Sequence, residues 1–153
     1  MKFHFLSSNN PEAKNTEKKL TELFGQNSVE DADYIIPIGG DGLLLKSLHN
    51  FNKLNKPFFG INFGSIGFLM NNLSNENLND MITNAKKSTF KPLKMTAQSV
   101  NNEIFEAYAY NEVSLMRQTH LASKIKIKIN EKVKMEELIC DGVLLSTSAG
   151  STA

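Results

Sequence analysis

Cysteine and histidine are scarce in this chain of 153 residues. Cys140 is the single cysteine, so no internal disulfide can form, and we expect a reducing compartment, the cytoplasm. The three histidines, His4, His49 and His120, lie far apart in the sequence with no cysteine pair near them. A structural zinc site therefore has no set of ligands.

Excess charge and long apolar runs are also missing. The formal net charge is +1, and the hydrophobic content of 41% is that of a globular chain. A surface dominated by positive charge, as nucleic-acid binding requires, is not indicated. The opening run Met1–Leu6 is too short for a signal peptide or a membrane span. We therefore expect neither a nucleic acid nor a membrane as a partner.

Motifs of three common enzyme classes are absent. The chain has no G-x-x-x-x-G-K-[ST] phosphate loop, which disfavours a Walker-type ATPase. The stretch Gly64-Ser65-Ile66-Gly67 lacks the first glycine of the dinucleotide fingerprint, which disfavours a plain Rossmann dehydrogenase. No G-x-S-x-G elbow supports hydrolase chemistry.

The most informative stretch that is present joins a strand, a turn and a helix. The apolar run Tyr34–Ile38 ends in Gly39-Gly40-Asp41-Gly42, and a leucine-rich helical pattern follows to about Phe51. Glycines adopt backbone conformations closed to other residues and let a ligand approach the main chain, while the first helix amides favour phosphate. A carboxylate beside a phosphate holds a metal, orients a hydroxyl or takes its proton. Asp41 thus indicates phosphate chemistry, although an ordinary tight turn uses the same residues.

The residues before this turn predict a strand and a helix. Residues 2–7 have a strand pattern, and Asn10-Pro11 offers an N-cap followed by proline at the first helical position. The helix is predicted to run to about Phe24, where Gly25 ends it. The side chains that we expect it to bury are Leu20, Leu23 and Phe24.

The residues after the turn repeat this alternation. Phe58–Asn62 predict a third strand, which leads into a second glycine loop over residues 63–69. Ser74 is predicted to cap a helix that continues to about Lys86. Strand and helix therefore alternate over residues 1–88, which indicates a Rossmann-like α/β domain of parallel βαβ units with ligands at the carboxyl ends of the strands.

From about Phe90 the pattern changes to strands alone. Alternating lysine and isoleucine over residues 124–129 indicates a half-buried antiparallel strand, turned at Asn130-Glu131. Its lysine face is interpreted as a solvated sheet face. We expect a mainly antiparallel β domain over residues 89–153.

Two polar pairs stand out in this second half. Asn111-Glu112 interrupts a long strand-like stretch, and Asp141-Gly142 precedes the last strand pattern. Taken alone, each is typical of a bulge or a turn. The chain ends in the small, hydroxyl-rich run Ser148–Ala153, which is typical of a loop that leads into a helix.

Taken together, four motifs resemble those of the NAD kinase family. The first glycine turn resembles a motif shared with diacylglycerol and sphingosine kinases and with 6-phosphofructokinases, so it does not choose among them. The other three are more specific and agree in order and spacing. They are the second glycine loop Gly60–Leu69, the pair Asn111-Glu112, and Cys140-Asp141-Gly142 followed by Gly150–Ala153.

The chain departs from the family pattern in two places. Ser148 stands where the family commonly has proline, a change that removes no functional group. Family members also continue after Ala153 with a tyrosine and further β structure, so we expect the β domain here to be incomplete.

The resemblance implies transfer of the terminal phosphoryl group of ATP to the 2′-hydroxyl of the adenosine ribose of NAD, giving NADP. It also implies a divalent metal, with Mg²⁺ expected and its ligands left open, and a homo-oligomer. Asp41 is the implied catalytic residue. The implied nucleotide-binding residues are Gly39, Gly40, Asp41, Gly42, Asn62, Phe63, Asn111, Glu112, Asp141, Thr152 and Ala153.

Two alternatives stay open at this point. A lipid kinase of the diacylglycerol type shares the first glycine turn, although the near-neutral charge does not suggest a membrane-facing surface. A truncated remnant that binds NAD or forms oligomers without turnover is the other alternative. The residues also do not decide between ATP and polyphosphate as donor, or between NAD and NADH as acceptor.

Overall fold

A computed structural model describes residues 1–64, 67–74 and 77–152. The chain divides into two compact units, Met1–Ser88 and Thr89–Ala153. The first contains a parallel sheet with helices and the second contains antiparallel strands. The predicted fold class is confirmed. No helix among the described residues has the length and apolar character of a membrane span.

The first unit is built on a three-stranded parallel sheet. Its elements are β1 (Phe3–Ser7), α1 (Pro11–Phe24), β2 (Tyr34–Gly39), α2 (Asp41–Phe51), a 3₁₀ turn (Asn52–Leu54), β3 (Ile61–Asn62) and α3 (Leu78–Asn84). Strand β2 lies in the middle, between β1 and β3. The predicted strand over residues 58–62 is shorter than expected, because Phe58 forms only an isolated bridge with Ile35.

Helices pack on both faces of this sheet. Alternate residues of a strand point to opposite faces, so Phe3 and Phe5 share one face and His4 lies on the other. Phe3 and Phe5 belong to a buried cluster that includes residues of α1 and α3. The ring of His4 contacts that of Phe51 on α2, with 6.0 Å between centroids. The unit therefore has three layers.

Helix α1 begins and ends where the sequence predicts. The side chain of Asn10 accepts a hydrogen bond from the Glu12 amide, and Gly25 follows the helix with a left-handed φ of 76°. Leu20 is buried and Phe24 packs against the core, but Leu23 is 76% exposed, so its predicted burial is wrong. Leu23 lies about 100° around the helix from Phe24, at the edge of the apolar stripe.

Helix α3 begins later than the sequence predicts. Asn77, not Ser74, is its N-cap, and the Asn77 side chain accepts a hydrogen bond from the Asn79 amide at 2.9 Å. Asparagine caps a helix as well as serine does, so both residues were suitable. Leu78 and Ile82 of this helix are buried in the core.

The second unit consists of antiparallel strand pairs. The strands are β4 (Leu93–Gln98), β5 (Ile104–Ala109), β6 (Glu112–Met116), β7 (Ser123–Ile129), β8 (Lys132–Cys140) and β9 (Gly142–Ser146), followed by a 3₁₀ turn (Gly150–Thr152). They pair as β4 with β5, β6 with β9, and β7 with β8. Asn130 and Glu131 both have left-handed φ values, as a two-residue hairpin turn requires. On the lysine face, Lys124 and Lys126 form ion pairs with Glu137 and Glu136.

Candidate functional site

Two glycine loops meet at the carboxyl edge of the parallel sheet. The first, residues 39–42, follows β2, and the second, residues 63–69, follows β3. The Phe63 amide donates a hydrogen bond to the Gly39 carbonyl at 2.7 Å. A Cβ atom on Gly40 would lie 3.6 Å from the Cα atom of Gly64, so the two main chains are in van der Waals range.

Of the glycines of the first loop, Gly39 is closely packed, and none of the three has an unusual backbone conformation. Among the described glycines, only Gly25 has a left-handed φ, so the conformational reason given by the sequence is wrong for Gly39, Gly40 and Gly42. A Cβ atom on Gly39 would lie 2.9 Å from Leu43 Cδ2, which is closer than real contacts allow. At Gly42, a Cβ atom would meet no atom within 4 Å. Open space therefore lies beside the first turn of α2.

Asp41 links the two loops. Its carboxylate oxygens accept hydrogen bonds from the amides of Phe68 at 2.9 Å and Leu69 at 3.1 Å. A carboxylate has about four acceptor positions, so the half-buried Asp41 can still accept a hydrogen bond from a hydroxyl. The N-terminus of α2 also favours a negative charge at this position. Sequence reasoning missed this link because the donors are backbone amides 27 and 28 residues away.

Asn62 and Phe63 shape the second loop from within. The Asn62 side chain accepts a hydrogen bond from the Gly64 amide at 3.0 Å, and the Phe63 ring packs against the buried cluster. Gly67 is tightly enclosed, since a Cβ atom there would lie 3.1 Å from Asn62 Oδ1 and 3.3 Å from Asp41 Oδ1. Ser65 and Ile66 lie outside the described residues.

In the second unit, the pair Asn111-Glu112 lies beside the last turn of the chain. Glu112 is opposite Ser146 in the β6–β9 ladder, and the Thr147 amide donates to the Asn111 carbonyl at 2.7 Å. A Cβ atom on Gly150 would clash with that same carbonyl. Thr152 ends the 3₁₀ turn that begins at Gly150, and Ala153 lies outside the described residues. The structure thus brings two predicted motifs together.

Asp141 lies at the opposite end of the same ladder. Gly142 pairs with Met116, four residues along β6 from Glu112, which corresponds to about 13 Å. The Asp141 carboxylate accepts a hydrogen bond from Arg117 Nε at 2.5 Å, and the Arg117 amide donates to the Asp141 carbonyl at 2.9 Å. Sequence reasoning missed Arg117, because nothing in the local pattern separates it from a surface residue.

A metal ion would find few ligands on the described residues. They contain no group of three or more His, Cys, Asp or Glu side chains that could hold one. Mg²⁺ keeps several waters and binds through one or two carboxylates together with substrate phosphates. At the described part of the glycine loops, Asp41 supplies the carboxylate.

A sequence profile of the ATP-NAD kinase N-terminal domain matches residues 1–90. This match covers the whole first unit, including both glycine loops. The chain belongs to the NAD kinase family. The resemblance read from the four motifs is thereby confirmed.

A curated NAD kinase covers nearly the whole chain. The NAD kinase of Brucella suis is 47% identical over 150 residues, which is 98% of this chain. The chain spans 58% of the length of that relative.

Solved structures show the same fold. An NAD kinase from Archaeoglobus fulgidus in complex with ATP is similar with a TM-score of 0.65 and 26% identity, over 100% of this chain and 63% of that one. The yeast NADH kinase complexed with NADH has a TM-score of 0.68, over 99% of this chain and 58% of that one. Its identity of 19% supports the fold alone. Neither the lipid-kinase alternative nor the non-catalytic alternative gains support from these relatives.

Proposed function

We propose that the protein carrying this chain transfers the terminal phosphoryl group of ATP to the 2′-hydroxyl of the adenosine ribose of NAD. Membership of the NAD kinase family supports this activity. The observation that carries it is the place of Asp41, whose half-buried carboxylate lies between two glycine loops at the start of α2.

The chemistry requires few groups beyond those present. The 2′-oxygen bonds to the γ-phosphorus, the bond from that phosphorus to the bridging oxygen of ADP breaks, and the hydroxyl proton leaves. Asp41 orients the hydroxyl and takes its proton, using an acceptor position that the Phe68 and Leu69 amides leave open. The first amides of α2 hold phosphate oxygens, and the open space at Gly42 lets them approach.

Other residues take the roles that family membership suggests. Asn111 and Glu112 hydrogen-bond the adenosine of NAD, and Asp141 contacts the nucleotide. Asn62 and Phe63 contribute by shaping the second loop, as their bonds to Gly64 and Gly39 support. Thr152 and Ala153 bound the adenine.

The metal and the assembly are further parts of this proposal. Mg²⁺ binds with the phosphates of ATP and offsets charge that develops during transfer. Copies of the protein associate, as the resemblance to the NAD kinase family implies. A mass measurement of the native protein tests the assembly.

The activity is tested with Asp41→Asn in the complete protein. Asparagine keeps the size of aspartate but cannot take a proton, so the rate of NADP formation is expected to fall about 10²- to 10⁴-fold. Asparagine has one oxygen to offer the Phe68 and Leu69 amides, so a modest loss of thermal stability should accompany the change.

The assay is run with NAD, ATP and Mg²⁺, and NADP is measured by an enzymatic cycling reaction. A parent protein that forms no NADP overturns the activity. A variant that keeps close to the parental rate overturns only the role of Asp41. Parallel assays with NADH, polyphosphate and diacylglycerol decide which acceptor and donor are used.

A further inference from the structure

The side chain of Asn10 makes two hydrogen bonds to different parts of the first unit. Its Oδ1 atom accepts from the Glu12 amide at 2.8 Å and caps α1. Its Nδ2 group donates to the Phe63 carbonyl at 3.2 Å, 53 residues further along the chain. One half-buried side chain therefore joins the loop after β1 to the loop after β3.

The main chain of Phe63 is held on both sides. Its amide donates to the Gly39 carbonyl at 2.7 Å, while its carbonyl accepts from Asn10. Further along the same loop, the amides of Phe68 and Leu69 bind Asp41. The second glycine loop is thus fixed near its beginning by Asn10 and near its end by Asp41.

We propose that Asn10 is a positioning residue for NAD phosphorylation, holding the second glycine loop against Gly39 so that the loop keeps its place around Asp41. This inference rests on the proposed function. In that function, Asn10 contacts neither NAD nor ATP. It acts through its hydrogen bond to the Phe63 carbonyl. A displacement of about 1 Å at a site can reduce a rate about 10²-fold, so such a tether has a measurable effect.

An amide is the side chain that can make both bonds. Aspartate caps helices well but has no donor, while serine and threonine carry a single hydroxyl on a shorter side chain in place of the separate acceptor and donor of asparagine. Asn10→Asp therefore separates the two roles. Aspartate keeps the cap and suits the N-terminus of α1, but its second oxygen would face the Phe63 carbonyl, and two acceptors repel each other.

The experiment compares Asn10→Asp with Asn77→Asp in the complete protein. Asn77 caps α3 with the same geometry, so the control makes the same chemical change at another helix start. Asn77→Asp should keep a Tm within about 2 °C of the parent because it keeps its cap, whereas Asn10→Asp keeps its cap and should lose only the few degrees that the missing Phe63 bond costs. Only Asn10→Asp should lose kcat/KM for NAD, by about tenfold or more.

Hydrogen–deuterium exchange provides a readout that does not need activity. The peptide covering residues 62–69 should exchange faster in Asn10→Asp than in the parent, and should not change in Asn77→Asp. A parent that forms no NADP overturns the proposed function, and the exchange measurement still decides whether Asn10 holds the loop. Unchanged exchange in Asn10→Asp overturns the tether, and unchanged kcat/KM overturns its role in the reaction. If Asn10→Asp does not fold, Asn10→Ser, which caps without the charge, is judged by the same two measurements.

Discussion

The two units are built on strands of different kinds: β2 of the first unit is a continuous apolar run that is buried on both faces, whereas β7 of the second alternates lysine with isoleucine. Phe3, Phe5 and Ile36 are almost fully buried under helices, whereas Leu144 of β9 is 67% exposed. Among the described hydrophobic residues, Tyr110 is the single buried member of the second unit. Within the described residues, side-chain packing dominates the contacts of the first unit, while backbone ladders and close main-chain contacts dominate those of the second.

The largest expected effect comes from removing a buried ring. Phe5→Ala should lower the free energy of unfolding of the first unit by about 3–5 kcal/mol, because it leaves a cavity beneath α1. Every α-helix among the described residues lies in this unit, so circular dichroism at 222 nm during urea unfolding follows it.

Leu144→Ala is the matched control in the second unit. Leu144→Ala should lower the free energy of unfolding by no more than about 0.5 kcal/mol, as at other exposed positions. Amide exchange of β9 measures this change. A cost of about 2 kcal/mol or more would break the comparison and show that this face is covered in solution.

Glycine substitutions should have an intermediate effect on stability. They test whether close main-chain contacts hold the second unit together. In Gly142→Ala the new methyl group would clash with the Leu115 carbonyl, so β6 and β9 must separate at a cost of about 1–3 kcal/mol. In Gly42→Ala the methyl group enters open space, and stability should hold or rise, since alanine favours helices.

Two measurements separate these glycine variants. Amide exchange of β6 and β9 should rise only in Gly142→Ala. NADP formation should fall in Gly42→Ala even though its Tm is not lowered, because the methyl group fills the space beside the first turn of α2. Full activity in Gly42→Ala would contradict the placing of phosphate there.

The smallest effect concerns an exposed ion pair of the β4–β5 hairpin. Lys94 Nζ lies 2.8 Å from Glu106 Oε1, and a hydrogen bond from Lys94 lowers the pKa of Glu106, while Glu106 in turn raises the pKa of Lys94. The stability that ionised Glu106 gives the hairpin is fully present at pH values above its ordinary pKa of 4.5. It is lost as the pH falls through the lowered pKa.

The protection factors of the β4 and β5 amides, which correct for the intrinsic exchange rate at each pH, should therefore fall slightly in acid in the parent, and this fall should be absent in Glu106→Gln. Because both side chains are exposed, 1 M salt should remove most of the difference. A response as large as that of Phe5→Ala would mean that the hairpin is packed against something in solution.

Local signals in the sequence were sufficient for most of the elements. Asn10-Pro11 and Gly25 predicted both ends of α1, because caps act within a few residues. The start of α3 was wrong, since Ser74 and Asn77 are equally good caps and only the burial of Leu78 distinguishes them. The position of the N-cap therefore depends on packing against the rest of the fold, which a local sequence pattern does not show.

The candidate site was predictable in its residues and less so in its geometry. The motifs indicated Asp41 and the glycines, but not that a Cβ atom on Gly39 would lie 3.1 Å from Ser8 Cβ, in the loop after β1. The bonds from Asn10 to Phe63 and from Asp41 to Phe68 also join distant residues. Such bonds follow from the three-dimensional arrangement of the loops, so they become visible only in the structure.

The bonds between Asp41 and the second loop have an evolutionary consequence. Asp41 contacts the main-chain amides of Phe68 and Leu69, and every residue type except proline offers such an amide. The two bonds to Asp41 therefore do not depend on the side chains at positions 68 and 69. Gly67 has no such freedom, because any side chain there meets the Asp41 carboxylate. Homologous chains should accordingly keep the acid and the glycine together.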